Sequence, residues 1–213
     1  KKYWKQTNEQ DSKHHKWIGR TARWKGYDLM FKFHDDYLKD IGHQTTFEGI
    51  EKSPVFIEFK KKYDFYDCLS LNPDDLDNRY GNKASVFSQY VNGELLERLS
   101  KCGFGYQLSI LDKKYIEKSL EFTHLEVVAV GAIPVFRKEY GDVCIHRYHG
   151  KPLTELDSGT IWLSEDNMEE CKNKIIELSN NDELRDDYRK KALECYSYYD
   201  CDHVISDMFK IMV

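Results

Sequence analysis

Along this chain short apolar blocks of strand length alternate with longer stretches in which apolar residues recur at helical spacing, the signature of an α/β domain. The polar opening, residues 1 to 15, reads as loose chain, and the first strand as Lys16 to Gly19. Apolar spacing then predicts a helix from about Gly26 to Lys39, a short strand near Thr45 to Phe47 and a helix over Ser53 to Lys62. Phe65 to Leu69 and Val86 to Val91 read as strands on either side of a loop, Asn72 to Lys83, rich in Asp, Asn, Pro and Gly. Asn92 caps a helix through Ser100, and Phe104 to Ile110 is predicted as a central strand. A helix ending at Gly131 runs into a buried strand, Ile133 to Arg137. After an irregular stretch come a strand at Thr160 to Leu163 and helices near Asp166 to Leu178, Asp182 to Tyr196 and Asp202 to Met212. Strands alternating with helices predict a Rossmann-like parallel sheet flanked by helices.

Composition narrows the classes. With 213 residues, 40% hydrophobic and 14% aromatic, the chain can build one sizeable domain and bury roughly 70% of its unfolded surface. No apolar run approaches the ~20 residues of a membrane span, and no signal peptide is visible, so no membrane partner is expected. A net charge of −5 argues against nonspecific coating of DNA by this part of the chain. Six cysteines show neither a CxxC pair nor zinc spacing.

Chemistry enters at two places. In Trp17-Ile18-Gly19-Arg20-Thr21-Ala22-Arg23-Trp24-Lys25-Gly26 an apolar strand end meets Gly-Arg and then Lys-Gly. Gly19 lets the backbone turn, and a guanidinium and an ammonium arrive together at the mouth of a strand-loop-helix unit. Ligands of α/β sheets sit in such crevices, beyond the carboxyl ends of the strands. Arg20 offers a planar fork of donors and Lys25 a compact charge, a pair suited to a diphosphate.

The second place is Ser119 to Gly131. Ser119 is a good N-cap, Gly131 a good residue just past a helix end, and Ser119, Thr123 and Glu126 share one stripe at helical spacing. The first-turn amides of Ser119, Leu120, Glu121, Phe122 and Thr123 are free to face a phosphate, while Glu126 can accept from both hydroxyls of a ribose. One helix can thus hold both ends of a nucleotide.

Read in order, Gly19-Arg20-x4-Lys25-Gly26 and Glu126-x4-Gly131-Ala132-Ile133-Pro134-Val135 resemble the nucleotide-sugar half of the GT-B glycosyltransferases. The chain departs from that pattern by one extra residue between glycine and proline. It also carries Lys118 where the family often has a glutamate for the sugar, so either Glu117 or Glu121 takes over that contact or it is absent. Tyr3-Trp4-Lys5, Cys102 to Ser109, Ser119-Leu120-Glu121, Thr123 to Glu126 and Asp157-Ser158-Gly159 narrow the resemblance to the DNA α-glucosyltransferases of T-even bacteriophages.

That resemblance implies transfer of glucose, with retention, from UDP-glucose to 5-hydroxymethylcytosine in double-stranded DNA, in the cytoplasm of an infected bacterium. UDP-glucose is then the donor substrate, with no tightly bound cofactor expected. It implies a carboxyl-terminal GT-B half, divided as a linker over 1–15, a nucleotide-sugar domain over 16–195 and a terminal helix over 196–213, with DNA held mainly by the other half. Arg20 and Lys25 are the expected catalytic cations, and the donor site comprises Gly19, Arg20, Lys25, Ser119 to Thr123 and Glu126. Another sugar such as arabinose, a sugar-nucleotide epimerase, and a noncatalytic nucleotide-sugar-binding module are the alternatives. Other features carry less: Gly103-Phe104-Gly105 lacks the rest of a dinucleotide fingerprint, Asp75-Leu76-Asp77 and Asp200-Cys201-Asp202 fit a turn and a helix cap, His146 and His149 read as polar surface, and His124 as a core histidine.

Overall fold

A computed structural model describes residues 10–19, 23–48, 99–110 and 122–199. Within them five strands form one parallel sheet: β1 (Asp11–Ile18), β2 (Gln44–Glu48), β3 (Cys102–Gln107), β4 (Ile133–Arg137) and β5 (Ile161–Leu163), in the order β2-β1-β3-β4-β5. Its helices are α1 (Tyr27–Phe33), α2 (Phe122–Ala129, as far as it is described), α3 (Lys138–Val143), α4 (Met168–Asn180) and α5 (Asp182–Tyr196). The strand expected at Lys16 opens five residues earlier, at Asp11. Its polar first half hides the strand from a reading based on apolar residues, although His15 is fully buried. The irregular stretch after Arg137 contains α3, too short and too uncapped to announce itself. The elements expected over 53–91 and 202–212 lie outside the described residues.

Both faces of the sheet are covered, as a doubly wound fold requires. On one face Trp17, Phe47, Phe104, Tyr106, Val135 and Leu163 pack with Tyr27 to Phe33 of α1 and with Met168, Cys171, Ile175 and Leu178 of α4. On the other, Ile18, Cys102 and Phe136 pack with Val127 and Val128 of α2, Tyr140 of α3, and Ala192 and Tyr196 of α5. A Cβ on Gly105 would lie 2.6 Å from Val127 Cγ1 of α2, and one on Gly103 2.7 Å from the Asp11 carbonyl oxygen of β1, so the lone glycine pair of β3 serves packing against a helix and a neighbouring strand. Because right-handed crossovers from β1 and β3 run in opposite directions along the sheet, their helices lie on opposite faces and the loops part above the β1–β3 boundary.

A chain of buried polar groups crosses the first face beneath that boundary. His15 bonds through Nδ1 to the Tyr106 hydroxyl at 2.6 Å and through Nε2 to His43 Nδ1 at 2.8 Å, while its ring stacks on Phe104 at 4.7 Å. His34 opens a π-turn, His34–Leu38, that carries its Nδ1 to 2.7 Å from Thr45 Oγ1. Burial, and then the charges that His43, His14 and His34 would carry, hold His15 well below the ordinary histidine value. Burial also lowers His34, against the opposing Asp35 carboxylate, and His43, against Asp11, with Lys39 and Lys13 adding to the respective depressions. In each case the unfolded chain accepts a proton that the fold refuses. Stability is therefore full above the unfolded value near 6.5 and falls as pH drops below it, with a limiting slope of about 1.4 kcal/mol per pH unit for a histidine that is protonated when unfolded and neutral when folded. Thermal unfolding between pH 8 and 5 should show the midpoint constant at the alkaline end and declining below pH 6.5; a flat profile would contradict the neutral cluster.

Candidate functional site

The sheet order places the topological switch between β1 and β3, where an open α/β sheet offers its binding crevice. Two loops meet there. After β1 the chain passes Gly19, makes a 3₁₀ turn over Arg23–Lys25 and enters α1 through Gly26. Gly26 adopts left-handed φ 69°, ψ 24°, and a Cβ on it would lie only 1.9 Å from the Leu108 carbonyl oxygen. Both conformation and space demand glycine there, which explains the Lys-Gly pair in structural terms.

Around that contact the loops are clipped together. The Ile110 amide donates to the Trp24 carbonyl at 2.6 Å, and Trp17 Nε1 donates to the Lys25 carbonyl at 3.3 Å. Lys25 is held nearly buried, its Nζ 4.2 Å from the centre of the Trp24 ring, while Trp24 and Ile110 stand exposed at the rim. A cation fixed in this way loses little side-chain entropy on meeting an anion.

From the β3 side comes the first described turn of α2. Gln107, the last residue of β3 and fully buried, donates from Nε2 to Thr123 Oγ1. Its Oε1 accepts from the Ser109 amide at 3.3 Å and the Ser109 hydroxyl at 3.0 Å. Glu126 follows Thr123 one turn later in α2, partly exposed.

Of the donor-site residues expected from the sequence, Gly19, Lys25, Thr123 and Glu126 fall on the two elements that flank the switch point, and Phe122 opens the described part of α2. Arg20, Ser119, Leu120 and Glu121 lie outside the described residues, as do Glu117 and Lys118. Gln107 and Ser109 are the partners that sequence reasoning missed; a Gln-x-Ser at the end of an apolar strand was the available signal. His124 is buried between the rings of Phe136 and Tyr140, at 4.5 and 4.8 Å, as a core residue. His146 corrects the expectation of polar surface: it is fully buried, with Nε2 bonded to the Cys195 carbonyl at 3.0 Å and Nδ1 accepting from the Tyr148 and His149 amides. It tethers a turn to the end of α5. Among the described residues no group of His, Cys, Asp and Glu is placed to hold a metal ion, and no helix is long and apolar enough to cross a membrane.

Comparison with known proteins adds the family. A family model described as DNA alpha-glucosyltransferase matches residues 1–183. The chain is 43% identical, over 214 aligned residues, to the DNA alpha-glucosyltransferase of Enterobacteria phage T4, covering 99% of this chain and 53% of that protein. It is similar, at 41% identity and a TM-score of 0.79, to an alpha-glucosyltransferase solved in complex with UDP and a 13-mer DNA containing an HMU base, over 99% of this chain and 57% of the other. An alpha-glucosyltransferase solved with UDP-glucose and DNA containing an abasic site matches with a TM-score of 0.79 at 39% identity, over 98% of this chain and 54% of that one. The chain thus spans about half the length of the relatives it matches.

Proposed function

The chain belongs to the DNA α-glucosyltransferase family, with the parallel sheet of a GT-B half, and from that premise we propose that it forms the donor-binding half of a retaining glucosyltransferase acting on DNA. The observation that carries the reading is that the Ile110–Trp24 hydrogen bond clips the Lys25 loop to the segment after β3, at the β1–β3 switch point, where Gln107 at the end of β3 holds the Thr123 hydroxyl. The relatives solved with UDP or UDP-glucose support the choice of donor.

In this reading the crevice takes UDP-glucose. As the glycosidic bond breaks, negative charge grows on the β-phosphate, and the cations of Lys25, held over Trp24, and Arg20, with backbone amides of the Ser119 to Thr123 segment, stabilise it where it develops. Gly19 allows the phosphates close to the backbone, and Glu126 accepts from the ribose hydroxyls. The acceptor is 5-hydroxymethylcytosine in duplex DNA; its binding and its extrusion from the base stack fall mainly to the other half of the enzyme. The site of action is the cytoplasm of the infected bacterium.

Titration of the chain with UDP, UDP-glucose and UDP-arabinose tests the proposal. Saturable binding of UDP, with UDP-glucose held more tightly than UDP-arabinose, is the expected outcome. Preference for the pentose would reassign the sugar. Absence of binding to any of the three would remove the donor site.

A further inference from the structure

The amide of Gln107 has only one chemically sensible orientation. A backbone N–H can only donate, so the group facing the Ser109 amide must be the Gln107 oxygen, at 3.3 Å, and the NH₂ must face Thr123. An NH₂ group cannot accept. The Thr123 hydroxyl oxygen is therefore the acceptor in that contact, and its own proton must point elsewhere. Among the described residues no acceptor takes that proton. Thr123 lies in the first described turn of α2, beside the carboxyl end of β3, and its hydroxyl is oriented by a side chain that is itself fully buried and tied at its other end.

We propose that Gln107 is a positioning residue that makes Thr123 an obligate hydrogen-bond donor toward the diphosphate of the bound nucleotide. The inference rests on the reading of the crevice as a nucleoside-diphosphate-sugar site and assigns the polarity of one contact within it. Ionised phosphate oxygens only accept, so a hydroxyl whose oxygen is already engaged by an amide matches them and mismatches a ligand group that needs an acceptor. Ser109 serves one step further out by locking the amide: its N–H and its hydroxyl both end on Gln107 Oε1.

Two pairs of variants test this by calorimetric titration with UDP, inorganic pyrophosphate and uridine. Thr123→Ser keeps the hydroxyl and should bind UDP like the parent, whereas Thr123→Val should lose roughly tenfold for UDP and pyrophosphate with uridine unchanged. In Gln107→Glu the carboxylate keeps the shape and the bonds from Ser109 but can only accept, so Thr123 must turn its proton inward. UDP affinity should fall by at least roughly tenfold at pH 8. As pH falls and the buried carboxyl takes up a proton, it regains a donor toward Thr123, and the deficit relative to the parent at the same pH should shrink. A merely structural role would give a deficit that ignores pH and weakens uridine as much as UDP, and that result overturns the proposal. So does Thr123→Val binding UDP like the parent. If Gln107→Glu does not fold, the two Thr123 variants decide the matter alone. Should the parent bind pyrophosphate with this Thr123 dependence but not UDP, the nucleotide reading falls while the orienting role stands; a parent that binds neither removes both.

Discussion

Replacing Arg20 or Lys25 by alanine is expected to weaken UDP binding by one to two orders of magnitude, roughly 1.5–3 kcal/mol for each charge-assisted contact. UMP, which lacks the β-phosphate, should lose less, because the pair is assigned to the diphosphate and above all to its terminal end. Lys25 carries the structural part of the expectation. It is nearly buried, its carbonyl accepts from Trp17 and its ammonium lies over Trp24, so the charge is placed before any ligand arrives. Its backbone contacts survive truncation at Cβ, since they involve the carbonyl and the neighbouring Gly26. Folding should therefore persist, and far-UV circular dichroism with a thermal melt separates lost affinity from lost structure. Two variants that bind UDP as tightly as the parent would show that the phosphates sit elsewhere. Equal losses for UDP and UMP would move the cations toward the α-phosphate.

Much of this was legible in the chain itself, and the reasons differ by element. β4 and the helix before it were readable because apolar residues dominate both and Gly131, at φ 78°, ends the turn as a left-handed residue. The Lys25-Gly26 step was visible as a motif, yet its cause is tertiary: the glycine is required by the Leu108 carbonyl, 82 positions further along the chain. β1 was half hidden, since Asp11, Ser12, Lys13 and His14 look like solvated chain. Their strand conformation comes from pairing with β2 and β3, as in His14 with Gln44 and Asp11 with Cys102. His15 reads as loose polar chain and His146 as polar surface, but each is buried because a specific partner is supplied from far away, Tyr106 for one and the Cys195 carbonyl for the other. Gln107 is the same case at the site. Hydrophobic periodicity identifies which face a residue takes and carries no information on which amide meets which hydroxyl.

Transfer of glucose to DNA containing 5-hydroxymethylcytosine is expected to be undetectable with these 213 residues alone, even as UDP-sugar is expected to bind them, and to appear when the half that the relatives carry in addition is supplied in cis or in trans. The chain spans about half of its relatives' length, and the candidate site is built on one sheet, at the ends of β1 and β3. Such a crevice can fix the leaving diphosphate, but transfer also needs the acceptor hydroxyl held against the anomeric carbon, and holding two reactants in register is worth many orders of magnitude in rate. In a GT-B enzyme that register comes from closure of two halves over the donor. Duplex DNA adds a further demand, because the modified base must leave the stack and its phosphates must be neutralised. A net charge of −5 makes this chain a poor source of those cations. Incorporation of labelled glucose into duplex DNA, measured for the chain alone and after addition of the complementary half, tests the division of labour. Robust turnover by the chain alone would place the acceptor site within residues assigned here to the donor half. Slow hydrolysis of UDP-glucose to UDP and glucose, without transfer, would instead indicate a donor pocket that activates the leaving group while water takes the place of the DNA.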